Sequence, residues 1–126
     1  MTTPTTAQEA AGIAAEAIRA LNHQTRPGAT QNGTGLDVSD VYDLLAELAL
    51  MAGRLPQLLR QLEGLLDALV EDGQVRIIDG PNAGDPVAVA AIAGHWLAAA
   101  SGAANELAHR VDQAQQTLAW AARAER

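Results

Sequence analysis

The stretch Val38–Asp72, VSDVYDLLAELALMAGRLPQLLRQLEGLLDALVED, carries leucines at helical spacing on both sides of a single proline, and it sets what the chain can fold into. Val38, Val41, Leu45, Leu48 and Ala52 make one apolar face before the proline. After it, Leu55, Leu58, Leu59, Leu62, Leu65, Leu66, Leu69 and Val70 cover an arc of about 140° at 100° per residue. A two-stranded seam is narrower, so one neighbouring helix cannot cover that arc. Pro56 removes a backbone donor and crowds the carbonyl of Ala52, and Gly53 sits where a bend costs least. The spacing predicts a kinked helix over 38–72, or two nearly collinear ones.

A second long helix follows. Asp85-Pro86 is a start signal, an N-cap carboxylate followed by proline at the first helical position. From there nothing breaks helical character through residue 124. The expected inward positions are Val89, Ala93, Trp96, Ala100, Ala103, Leu107, Val111, Ala114, Leu118 and Ala121, spaced three and four apart except for one 4-4 step after Leu107. At ~1.5 Å per residue the two helices would run roughly 50 and 58 Å. Such a match across a short connection predicts an antiparallel hairpin. Gly94, Ala98 and Gly102 would let the helices approach closely.

The remaining segments are shorter. Residues 1–5 read as a disordered tail. Thr6 and Glu9 have the spacing of a capping box and open a helix over 6–24, with Ala10, Ile13, Ala14, Ala17, Ile18 and Leu21 on one face. Residues 25–37, with a proline, three glycines and an Asn32-Gly33 step, form a linker. Residues 73–85 connect the long helices, and their β-branched cluster Val75, Ile77 and Ile78 suits a short extended plug better than a sheet. Ala and Leu dominate an apolar content of 48%, and Phe is absent, so an all-α single domain over residues 1–126 is expected.

Charge and composition narrow the function classes. Of a net charge of −7, about −6 falls on residues 37–72, where eight acids face Arg54 and Arg60. That field repels a phosphate backbone, so no nucleic-acid partner is expected. No cysteine is present to form a disulfide, a thiolate metal site or a nucleophile. The first residues lack a charged n-region and an apolar h-region, which points to a cytoplasmic chain. Val87–Ala104 is free of acids and arginine, yet its alanines supply little transfer energy and it contains His95, so no membrane span is expected.

The N-terminal helix is about half the length of the hairpin and can close its Val41–Ala52 half. Leu55, Leu58, Leu59, Leu62, Leu65, Leu66, Leu69, Val70 and Trp96 are then the expected interface of a homo-oligomer, a dimer in the first instance, completing a helical bundle. An obligate protein partner would meet the same need. No cofactor, metal or catalytic residue is expected. The one metal-like pattern, Glu106-Leu-Ala-His109, has the Glu-x-x-His spacing of carboxylate-bridged bundles, with Glu47 or Glu63 available as a third ligand. In the expected register Glu106 lies beside the seam and His109 outside it, and neither Glu47 nor Glu63 points inward, which makes a metal-dependent enzyme the weaker alternative. His95 and His109 stand four turns apart, too far to share an ion. His95 reads as partly buried beside Trp96, and His23 as a partner for the last carbonyls of the first helix. The acidic outer face of Asp43, Glu47, Glu63, Asp67, Glu71 and Asp72 reads as a solvated face, with docking of a basic partner as the alternative.

ALNHQT at Ala20–Thr25, the run from Asp40 to Leu66, and Gly84-Asp85-Pro86 opening an Ala-rich helix together resemble small uncharacterised Ala/Leu-rich helical proteins of high-GC actinomycetes that accompany integrated plasmid-like or phage-like elements. The resemblance covers most of the chain and implies no activity or site. The chain also looks like the helical hairpins exported by type VII secretion, but that family's Trp-x-Gly turn is missing: Trp96 and Trp120 both lie within the final helix.

Overall fold

The computed structural model describes residues 3–4, 6–27 and 35–124. Three helices follow in order: α1 Ala7–Gln24, α2 Val38–Glu71 and α3 Pro86–Ala124. No strand occurs among the described residues. The chain divides into two compact units, Met1–Val41 and Tyr42–Arg126. Parts of the expected tail and linker, residues 1–2, 5 and 28–34, lie outside the described residues.

In the first unit, Thr6 caps α1, its hydroxyl accepting from the Glu9 N–H at 3.0 Å. The other end closes through Thr25, whose N–H (2.9 Å) and hydroxyl (2.7 Å) both donate to the Leu21 carbonyl. His23 therefore takes no carbonyl; its Nδ1 lies 3.5 Å from a guanidinium nitrogen of Arg26. No residue of α1 is buried. Asp37 and Asp40 open α2 by a reciprocal pair, the Asp40 N–H donating to the Asp37 carboxylate at 2.9 Å and the Asp37 N–H to that of Asp40 at 3.0 Å.

The second unit is the hairpin, with α2 and α3 packed against each other. Proline does not divide α2, which is helical throughout, and both Pro56 and Ala52 are buried. Burial explains the tolerance: removing the ring from water offsets part of the lost hydrogen bond. At the turn Gly73 takes φ 69°, while the Gln74 N–H reaches the Leu69 carbonyl and the Gly73 N–H that of Val70, each at 3.0 Å. This is the Schellman closure, which only a residue without Cβ adopts freely. The connection folds on itself through the Gly84 N–H to Ile77 carbonyl bond of 2.8 Å. Val75 and Ile77 are half-buried, but Ile78 is 87% exposed, so the cluster is only in part a plug. Asp85 caps α3, its carboxylate accepting from the Ala88 N–H at 3.0 Å.

Buried and half-buried positions trace the seam. In α2 they run Tyr42, Leu45, Ala49, Ala52, Pro56, Leu59, Glu63, Leu66 and Val70; in α3 they run Ala90, Gly94, Leu97, Ser101, Ala104, Ala108, Val111, Gln115 and Leu118. Both rows alternate three and four residues, the period that keeps one face toward one partner. The four most buried side chains after Pro56 are Ala52, Ala90, Ser101 and Ala104, so small residues set a close approach. Glu63 lies over Gly94, its Cγ 3.5 Å from where a Cβ would stand. The expected inward register of α3 is corrected here. Val89, Ala93, Val111 and Leu118 are half-buried, but Trp96, Ala100, Ala103, Leu107, Ala114 and Ala121 are exposed, and Leu97, Ser101, Ala104 and Ala108 take the inner places. The strict three-four row wins over one that needs a 4-4 step.

Candidate interaction face

Each long helix carries a second apolar row, one residue before its seam row. In α2 this is Leu44, Leu48, Met51, Leu55, Leu58, Leu62, Leu65 and Leu69. In α3 it is Val89, Ala93, Trp96, Ala100, Ala103 and Leu107, after which Arg110 and Thr117 interrupt it. A one-residue offset rotates each row by about 100° from the seam. Because the helices are antiparallel, equal rotations turn both rows to the same side of the hairpin. The molecule therefore presents one continuous apolar face, and much of it is open: Leu58 is 49% exposed, Leu62 42%, Leu65 56%, Trp96 66% and Leu107 51%.

The nine expected interface residues separate between the two rows. Leu59, Leu66 and Val70 lie on the seam row toward α3, while Leu55, Leu58, Leu62, Leu65 and Leu69 line the open face with Trp96. Nor does exposure begin at Pro56, since Met51 and Leu50 before it are also exposed. Met51 was legible in the sequence once the two rows were separated.

On the outer flank of this face α2 carries a shallow depression lined by Glu47, Leu50, Met51, Arg54, Leu55 and Leu58. Among the described residues Glu47 and Arg54 make no ion pair; the two pairs present are Glu16–Arg19 at 3.7 Å and Glu106–Arg110 at 2.6 Å. Glu106 is thus held by Arg110, one turn on, and not aimed at a metal with His109. No group of three or more metal-ligating side chains occurs among the described residues. His95 is exposed, contrary to the partly buried reading, and packs edge-on to Trp96 with ring centroids 5.3 Å apart and planes at 70°. Against the expectation of no membrane span, α3 over Pro86–Ala121 is long and apolar enough to cross a membrane by length and composition.

Comparison with protein-family models, curated proteins and solved structures finds no match. The face described above carries the functional reading.

Proposed function

We propose that the protein is a non-enzymatic helical self-association module, active in the cytoplasm, whose open leucine face is covered by a second copy. The carrying observation is the second three-four row on α2, parallel to the one already filled by α3 and exposed beside Trp96. A helix with two complete apolar rows is built to contact two neighbours, and the hairpin supplies one. Burying a leucine is worth about 1.5–3 kcal/mol when complete, so covering several half-exposed ones supplies a driving force for dimerisation. The resemblance of Asp40–Leu66 supports a role as an accessory protein of a mobile genetic element in an actinomycete, with a protein partner recruited by the dimer.

Gel filtration coupled to light scattering tests this reading. The chain should elute at twice its 13.1 kDa mass. Leu58→Asp with Leu65→Asp should give a helical species of single mass, because both positions stand off the seam. A wild-type monomer at tens of micromolar sinks the proposal.

The length and composition of α3 favour a second reading, in which Pro86–Ala121 enters a lipid bilayer. About 20 residues span the hydrocarbon, so Glu106, Arg110 and Asp112 can stay outside it; what weighs against this reading is that Val87–Ala104 is alanine-rich, with little transfer energy, and carries His95. Flotation with neutral phosphatidylcholine vesicles separates the readings: the self-association module stays in the aqueous fraction.

A further inference from the structure

We infer that the second copy docks with its α3 on this chain's α2, about a twofold axis parallel to the helices, giving a four-helix bundle in which every neighbouring pair is antiparallel. This rests on the self-association reading and adds the pairing. Three observations carry it.

The first is area. The open row from Leu44 to Leu69 is roughly 38 Å long, and two packed helices are roughly 18 Å across, a face of about 700 Å². Standard interfaces bury about 600–1,000 Å² per partner, so the face falls in the lower part of the range that a second copy needs.

The second is volume. The α2 side of the face is leucine except for Met51, while half of the α3 side is alanine, with Ala93, Ala100 and Ala103 set between Val89, Trp96 and Leu107. Two twofold arrangements bring the faces together. If the axis crosses the helices, α2 meets α2 and α3 meets α3, leaving leucine on leucine and alanine on alanine at unequal separations. If the axis runs along them, each leucine row meets an alanine row and both contacts take the same spacing.

The third is charge. With Glu63 level with Gly94, Arg110 stands level with Glu47 and Leu107 with Leu50. An axis along the bundle preserves these levels between copies. The partner's Arg110 then arrives at Glu47, the partner's Glu106 within one turn of Arg54, and the partner's Leu107 at the shallow depression these residues flank. The Glu106–Arg110 pair of one chain meets Glu47 and Arg54 of the other in alternating sign, and among the described residues neither Glu47 nor Arg54 has an ion pair.

The absence of native cysteine makes the test direct. Leu55→Cys and Ala100→Cys are made in separate chains, mixed, unfolded and refolded together, and oxidised, with the mass of each unoxidised sample measured by light scattering. The pairing yields a covalent dimer from the mixture and none from either variant alone. A covalent dimer from Leu55→Cys alone places α2 on α2 and overturns the pairing while leaving the dimer intact. A dimeric mixture that forms no disulfide also overturns it. Monomeric wild type and variants overturn the self-association reading itself.

Discussion

Single residues fix the ends and the seam of the hairpin, and each makes a separate prediction. Gly94 costs helix entropy, yet a Cβ there would meet Glu63 at 3.5 and 3.6 Å, ordinary contact distances. Gly94→Ala should therefore raise stability by about 0.5–1 kcal/mol, read as a higher urea midpoint at unchanged slope. Gly73 is the opposite case. Nothing lies within 4 Å of its missing Cβ, but φ is +69°, so Gly73→Ala should cost about 1–2 kcal/mol from backbone strain alone. Asp85→Ala should cost about 1 kcal/mol in the same assay, since the Ala88 N–H loses its acceptor. These caps were legible in the sequence because capping is local: Thr6, Asp85 and Gly73 each act within four residues.

At the scale of elements, α2 is the informative one. Pro56 stands in the middle of the seam, buried, with the Ala52 carbonyl deprived of its helical donor. An interior proline costs about 3 kcal/mol, and the packing lost on truncating its ring is smaller. Pro56→Ala should thus stabilise the hairpin by about 1–2 kcal/mol by urea unfolding; a destabilised variant would mean that ring packing dominates. The helices themselves were plain from Ala/Leu content, with Pro56 the one proline inside either long run. Their rotation was harder to read. An amphipathic helix announces its inner face by contrast with polar residues, and α3 from Pro86 to Ala104 offers no such contrast. With apolar residues all round, the row through Trp96 and Leu107 and the row through Leu97, Ser101 and Ala104 score alike, and Ser101 argues misleadingly for the first. Steric size decides it: Ser, Gly and Ala admit the close approach, and Trp96 does not.

For the whole molecule, the second row of α2 is the one the hairpin leaves open, and its covering by a second copy is the proposal to be tested. The sequence already implied an uncovered leucine face from the excess of apolar arc over what one helix can bury. It did not reveal that the α3 rows turn to the same side, because that follows from the seam register. Trp96 joins the leucines on that face, and Trp120, 74% exposed, stands well beyond them along α3. Trp96 can therefore be made the sole tryptophan by Trp120→Phe, and its fluorescence reports directly on whether the face is covered. Coverage by a second copy predicts blue-shifted emission at tens of micromolar that moves to the emission of an exposed indole on dilution, with the shift absent in the Leu58→Asp, Leu65→Asp background. Emission of a solvent-exposed indole at every concentration would contradict the account.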